Sequence, residues 1–131
     1  MIRFIIIIFI FFSTNSKATN FNLNKILNLN EPWGSTFINE NELLVTEKSG
    51  KIKLINIKTK EIIEINHNLN VIEYGQGGLL DILFKNNSVW VSYTENRGNY
   101  KTSTSIAKGI FDKERIEFEN IFQAYPAIDS P

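Results

Sequence analysis

The chain has 131 residues, of which 43% are hydrophobic and 21% are charged, a balance typical of a globular protein with a packed core. Its 14 basic residues equal its 14 acidic residues, and there is no basic run, which disfavours nucleic acid as a partner. The absence of cysteine excludes a disulfide framework, a thiolate metal site and a cysteine nucleophile.

The N-terminus, residues 1–18, has the pattern of a secretory signal peptide. Arg3 supplies a positive charge, residues 4–12 are all apolar, and Ser16-Lys17-Ala18 offers small residues at the two positions that a signal peptidase reads. The apolar run is about half of the roughly 20 residues that a transmembrane helix needs, so a retained membrane anchor is the weaker alternative. We expect cleavage after Ala18 and a secreted or periplasmic protein without a permanent membrane span.

Beyond residue 30, polar and apolar residues alternate with a period of two, and helical periodicity is hard to find. Short turns rich in Asn, Gly and Lys separate the alternating runs, which indicates antiparallel meanders. We therefore predict an all-β fold. The predicted strands are residues 35–38, 42–47, 51–57, 61–65, 79–84, 88–94, 103–109 and 115–122.

These strands form two similar groups of four. Gly34 opens the first group and Gly78 the second, and residues 43–47 match residues 90–95 with one insertion. The offset of about 45 residues is typical of β-propeller blades, each a four-stranded antiparallel sheet. Two blades cannot close a ring, so we expect residues 19–131 to be the N-terminal part of an incomplete propeller domain. The alternative is a small, complete β-sandwich.

A glycine-rich loop, residues 75–78, leads directly into an apolar strand. Glycine tolerates positive φ and has no Cβ, so this loop can bring the Gln76 amide close to a bound ligand. Other segments occur in a fixed order around it: Glu31-Pro32-Trp33-Gly34, residues 44–52, residues 91–95, residues 103–109 and Ile121-Phe122-Gln123. In this order, the segments resemble the N-terminal part of the glucose/sorbosone dehydrogenase family.

The resemblance implies a six-bladed, exported enzyme that oxidises aldose sugars with pyrroloquinoline quinone and calcium. It places Gln76 near quinone and sugar at the mouth of the central channel, where an amide can donate and accept hydrogen bonds. The alternative is that Gln76 only satisfies backbone groups of its own loop. Gly75, Gly77 and Gly78 are expected to shape the turn rather than touch the ligand.

In the resembled family the catalytic base is a histidine in a His-Phe-Gly-type motif that follows the Phe-Gln and Pro-Ala region, here residues 121–127. No such motif occurs in the sequence, so we expect the base just beyond Pro131. Most quinone and calcium ligands are expected there too. We therefore assign no catalytic residue to this chain and expect it to be inactive alone.

His67, Glu47 and Glu95 are the other titratable candidates for a functional role. His67 lies among asparagines in the link between the two groups, which predicts a solvated residue rather than the base. Glu47 and Glu95 end equivalent strands and could hold calcium in principle. Because no Asp-x-Asp-x-Asp loop accompanies them, we predict solvated carboxylates and no metal ligand.

Trp33 and Trp90 could form a sugar-stacking platform, but we predict that both pack within the protein. Asp81 begins a strand between apolar residues, which predicts a local cap or bridge. Four lysines in turns or at alternating positions predict a solvated rim: Lys53, Lys58, Lys60 and Lys85.

Two other functions fit the same fold, because propellers host unrelated activities. A non-catalytic extracellular binding propeller would keep the fold and lack the base. A metal-dependent propeller lactonase would use carboxylates near the channel, with Glu47 and Glu95 as candidates.

Overall fold

The computed structural model describes residues 21–129, so the predicted signal peptide lies outside the described residues. These residues form ten β-strands and no α-helix, and hence no helix suited to crossing a bilayer. The strands are β1 Pro32–Phe37, β2 Glu42–Glu47, β3 Lys51–Asn56, β4 Ile62–His67, β5 Leu79–Lys85, β6 Ser88–Asn96, β7 Lys101–Ile110, β8 Arg115–Ile116, β9 Phe118–Gln123 and β10 Ile128–Asp129.

The strands form two sheets, each built on a four-stranded antiparallel meander. The first sheet has the order β1-β2-β3-β4, with β8 added parallel to β4. In the second sheet β5, β6 and β7 are consecutive neighbours, and β9 and β10 both pair with β7. The all-β prediction and the division into two groups of four strands are confirmed.

Both meanders begin with an irregular strand. The register of β1 against β2 shifts between Pro32 and Ser35, and that of β5 against β6 shifts between Leu79 and Ile82. An extra residue bends a strand and increases its twist. The shared irregularity supports the interpretation that the second meander repeats the first.

The sheets meet where β1 and β2 contact β5. A Cβ on Gly34 would lie 2.7 Å from the Cα of Asp81, so only glycine allows this approach. Thr46 bridges the contact, because its hydroxyl accepts a hydrogen bond from Gly34 N at 2.9 Å and donates one to Leu80 O. The Asp81 carboxylate accepts from the amide of Ile82 at 2.9 Å, a local cap as predicted.

One hydrophobic core fills the space between the sheets. In β6 Val89, Val91 and Tyr93 are buried and alternate with half-buried residues, as a strand with one core face requires. Buried residues of the other strands complete the cluster. It contains Leu44, Ile52, Leu54, Ile65, Leu79, Ile82, Val89, Val91, Tyr93, Ala107, Ile116 and Phe118.

The last predicted strand, residues 115–122, is wrong as a single element. It divides into β8, which pairs with β4, and β9, which pairs with β7. The Asn68 amide explains the break, because it accepts from Phe118 N at 2.8 Å and donates to Phe118 O at 3.0 Å, and so draws this segment toward the link. Two further differences are the short strand β10, which was not predicted, and β1, which starts three residues before the predicted position 35.

Candidate functional site

The glycine-rich loop is a tight hairpin with Gln76 at its tip. Tyr74 and Gly77 close the turn through backbone hydrogen bonds, from Gly77 N to Tyr74 O at 2.6 Å and from Tyr74 N to Gly77 O at 3.4 Å. Gly75 takes the left-handed conformation, with φ of 53°. Gln76 is exposed, and the groups that close the turn need no help from its amide. The Gln76 amide is therefore not needed to close the turn and is available for contact with a ligand.

The hairpin is held against the end of β6 by Thr94. Thr94 N donates to Gly78 O at 2.8 Å, and Gly78 N donates to the Thr94 hydroxyl at 3.2 Å. A Cβ on Gly77 would lie 2.8 Å from the same hydroxyl oxygen, and Gly78 has φ of 153°. Gly77 and Gly78 therefore shape the turn, as predicted.

A cleft of about 250 Å³ opens between the hairpin and β10. Tyr74 and Gly77 line one side, Ile128 and Asp129 line the other, and Thr94 with the hydroxyl residues 102–104 lines the floor. A typical site for a drug-sized ligand is roughly 300–1,000 Å³, so this cleft suits a smaller molecule. A half-exposed aromatic ring beside hydroxyls and a carboxylate is a suitable surface for a polyol.

Asp129 is placed by strand pairing and by an ion pair. Ile128 and Asp129 pair with Thr102 and Lys101 of β7, and Lys101 Nζ lies 3.2 Å from Asp129 Oδ1. Both side chains are largely exposed, at 49% and 88%, so this pair contributes little stability. Asp129 therefore lines the cleft with a carboxylate that is largely exposed and paired on one oxygen with Lys101.

The prediction of a solvated Glu47 is wrong. Its side chain is 1% exposed and lies 2.8 Å from Lys53 Nζ, and it accepts a hydrogen bond from Asn30 N at 2.8 Å. Burial alone would raise the pKa of Glu47, but the hydrogen bonds from Lys53 and Asn30 outweigh it and lower the pKa. Lys53, predicted to be part of the solvated rim, is consequently only 19% exposed, whereas Lys58, Lys60 and Lys85 are exposed as predicted.

The prediction of a solvated Glu95 is also wrong. Its carboxylate is 13% exposed and accepts from Ser105 Oγ at 2.6 Å, Gln123 Nε2 at 2.8 Å and Asn120 Nδ2 at 3.0 Å. Arg97 Nη1 lies 3.4 Å away. Burial would raise the pKa of Glu95, but the hydrogen bonds from Ser105, Gln123 and Asn120, together with Arg97, lower it.

This lowered pKa predicts how stability depends on pH. A carboxylate whose folded pKa lies below its usual value of 4.5 stabilises the fold above that value and loses this contribution as pH falls through the folded pKa. The gap in unfolding free energy between wild type and Glu95→Gln should therefore be constant from about pH 7 to pH 5 and should narrow below about pH 4.5. Urea unfolding across this range tests the prediction, and a gap that widens on acidification would contradict it.

The prediction that His67 is a solvated residue of the link is wrong, because His67 is the last residue of β4 and is half-buried. Its Nε2 lies 2.6 Å from Gly50 O, and its Nδ1 accepts from Leu69 N at 3.2 Å. With Nδ1 accepting, Nε2 is the donor. The ring therefore ties the end of β4 and the start of the link to the β2–β3 turn.

The two tryptophans differ from each other. Trp90 is partly buried, and Lys108 Nζ lies 5.3 Å from the centre of its ring, a cation–π contact within the sheet. Trp33 is 50% exposed, so the prediction that it packs is wrong for the part of the chain that the structure describes. Between residues 21 and 129, no three His, Asp or Glu side chains converge as a metal site would require.

Several residues of the cleft and of the Glu95 cluster were missed by the sequence reasoning. A signal was present in residues 102–105, Thr-Ser-Thr-Ser, a run of hydroxyl residues in a strand that continues with the apolar residues Ile106 and Ala107. Thr102, Ser103 and Ser105 are buried, which a solvated strand would not show. The approach of β10 could not be inferred, because it depends on the path of the chain after β9.

The two meanders, which pack side by side through β1, β2 and β5, have the arrangement of neighbouring blades of a β-propeller protein. The chain belongs to the family described as Glucose / Sorbosone dehydrogenase, whose model matches residues 29–131. The resemblance seen in the sequence is thus confirmed.

Solved structures agree with this assignment. A structure described as glucose dehydrogenase is 30% identical, with a TM-score of 0.70 over 76% of this chain and 32% of that protein. The soluble aldose sugar dehydrogenase of Escherichia coli, in its apo form, is 25% identical, with a TM-score of 0.68 over 76% of this chain and 31% of that protein. No curated protein matches the sequence.

A third structure shows the fold at greater distance. The PQQ-bound form of aldose sugar dehydrogenase from Streptomyces coelicolor is 23% identical, with a TM-score of 0.69 over 79% of this chain and 34% of that protein. The chain therefore spans about a third of the length of the structures it matches. The propeller prediction is confirmed over the β-sandwich alternative.

Proposed function

We propose that this chain is the N-terminal part of an exported, quinone-dependent dehydrogenase that oxidises aldose sugars to lactones. Family membership and the likeness to glucose and aldose sugar dehydrogenases support the reaction class. The pattern of residues 1–18 supports export. The general base is expected beyond Pro131, so activity is a property of the whole protein.

One observation carries the proposal: the exposed Gln76 amide stands on a hairpin that borders a cleft lined with hydroxyl groups. A sugar presents donors and acceptors around its ring, and an amide can pair with both kinds. In the proposed site Gln76 orients the sugar, Tyr74 covers an apolar face of the ring, and Asp129 accepts from a hydroxyl. Holding the sugar in one orientation is how a binding group contributes to rate.

The donor set of the cleft fits a sugar better than it fits the cofactors. Pyrroloquinoline quinone is an acidic molecule that accepts two electrons, but the cations Lys101 and Arg97, which lie next to residues of the cleft lining, are already paired with Asp129 and Glu95. Calcium takes six to eight oxygen ligands, often carboxylates, and the described residues bring no three acidic side chains together. We therefore assign the anchoring groups of both cofactors to residues beyond this chain.

Reconstitution of the whole protein tests the proposal. The exported full-length protein, loaded with pyrroloquinoline quinone and calcium, should reduce an artificial electron acceptor when given glucose or another aldose. Matched reactions without quinone and without calcium should show no reduction. Failure to reduce the acceptor across a panel of aldoses would contradict the proposed reaction.

The same assays separate the alternatives. Sugar binding without turnover would favour a non-catalytic binding propeller. Lactone hydrolysis in the absence of quinone would favour a metal-dependent lactonase. The structure disfavours Glu47 and Glu95 as ligands for that metal, because Glu47 is engaged by Lys53 and Glu95 by four donors of its own sheet.

A further inference from the structure

Glu95 lies between the two segments that border the cleft. Its backbone forms an isolated antiparallel bridge with Val71, in the link that leads to the Gln76 hairpin. Its side chain points the other way, to Asn120 and Gln123 of β9, the strand that leads to β10. One residue therefore contacts both walls of the cleft through their supporting strands.

The cluster around Glu95 is ordered by a chain of directed hydrogen bonds. The Tyr93 hydroxyl donates to Asn120 Oδ1 at 2.8 Å, which leaves Asn120 Nδ2 to donate to Glu95 Oε1 at 3.0 Å. Burial raises the pKa of Tyr93, so its hydroxyl keeps the proton that it donates. Arg97 Nη1 lies 3.4 Å from both Glu95 Oε2 and the hydroxyl of Ser103, and Ser103 lines the cleft.

The equivalent glutamate in the first meander is held differently. Glu47 pairs with the ammonium group of Lys53 in the first meander. The corresponding position in the second meander is Ser105, whose hydroxyl donates to Glu95. Gln123 is the cross-strand partner of Ser105, and Glu64 is the cross-strand partner of Lys53, so these two positions also correspond. Glu64 does not contact Glu47 but forms an ion pair with Lys51. The first meander thus uses two ion pairs, while the second uses one carboxylate that gathers neutral donors from β7 and β9.

We propose that Glu95 is a positioning residue that fixes β9, and with it the wall formed by Ile128 and Asp129, against the Gln76 hairpin. This inference rests on the proposed function, because the cleft is taken to bind the sugar. A carboxylate can accept all of these hydrogen bonds at once. An amide in its place has only one accepting oxygen, and its NH2 group would face donors instead of acceptors. Loss of the carboxylate should therefore make β9 more mobile without exposing the hydrophobic core.

Two variants of the full-length protein test this role. Glu95→Gln replaces one accepting carboxylate oxygen with a donating amide nitrogen, and Gln123→Ala removes a donor of β9 at an exposed position that leaves the core intact. Both should increase the amide hydrogen exchange of peptides covering residues 118–129. Both should lower kcat/KM for the sugar about tenfold, mostly through KM, because a displaced wall weakens its contact with the bound sugar and about 1.4 kcal/mol of lost contact corresponds to a factor of ten in affinity.

Glu47→Gln is the matched control. It disturbs the equivalent glutamate and should lower the melting temperature at least as much as Glu95→Gln, because it leaves Lys53 without its partner in a buried setting. It should leave exchange in residues 118–129 and KM unchanged. Rescue of KM in Glu95→Asp relative to Glu95→Gln would support a role for the charge.

Hydrogen exchange tests the positioning role of Glu95, and sugar turnover by wild type tests the proposed function, so the two can fail separately. If wild type turns over no sugar, the proposed function fails, and hydrogen exchange alone decides whether Glu95 positions β9. If Glu95→Gln does not fold, Gln123→Ala decides. Unchanged exchange in residues 118–129 in the variants that fold, or the same rise in KM in Glu47→Gln, would overturn the inference.

Discussion

Replacing Gly34 with alanine is expected to destabilise the protein by about 3 kcal/mol or more, because overpacking a tight contact typically costs about 1–3 kcal/mol and backbone atoms relieve it poorly. The added Cβ would lie 2.7 Å from Asp81 Cα and 2.9 Å from Ile82 N, so β1 and β5 would have to separate. Separation would also break the bridge that Thr46 makes between Gly34 and Leu80. Urea unfolding of the full-length protein measures the effect.

Gly98→Ala is the control for this substitution. Gly98 has φ of 74° and nothing within 4 Å of an added Cβ, so alanine costs only the left-handed conformation, about 1–2 kcal/mol. A Gly34→Ala protein as stable as Gly98→Ala would show that the two sheets are not packed as described.

Replacing Gln76 with alanine is expected to raise the KM for the sugar about tenfold and to leave the melting temperature unchanged. The side chain is exposed and the turn is closed by backbone groups, so folding loses nothing when the amide is removed. A lost hydrogen bond costs about 0.5–1.5 kcal/mol, and about 1.4 kcal/mol corresponds to a factor of ten in affinity. Steady-state acceptor reduction at varied sugar concentration measures the change.

Lys85→Ala is the matched control, because Lys85 is exposed at the opposite end of β5, the strand that follows the hairpin. It should leave KM unchanged. Gln76→Asn keeps an amide on a shorter side chain and should raise KM less than alanine does. An unchanged KM in Gln76→Ala would remove Gln76 from the proposed site.

The fold was largely predictable because its signals are local. Strand β2 matches the predicted residues 42–47, and the two irregular first strands follow the repeat that Gly34 and Gly78 marked. The break between β8 and β9 was not predictable, because the Asn68 amide that causes it lies 50 residues away from its partner Phe118. Contacts of that range leave no periodic signal in the sequence.

The site was predictable only in part. The glycines marked the Gln76 hairpin because positive φ and close backbone approach restrict the residue type. The repeat marks Glu47 and Glu95 as equivalent, but their position at strand ends, which are usually solvated, predicts exposed carboxylates instead of buried ones. Their burial depends on partners from other strands, Lys53 in one meander and Ser105 with β9 in the other, and pairing between strands cannot be read from spacing alone.

A crystal structure of the full-length protein with an aldose bound would show whether the sugar occupies the cleft beside the Gln76 hairpin. We expect electron density for one sugar ring in the cleft between residues 74–77 and residues 128–129, with the Gln76 amide within hydrogen-bonding distance, about 2.7–3.2 Å, of a sugar oxygen. A well-ordered sugar bound elsewhere, with the cleft filled only by water, would contradict it.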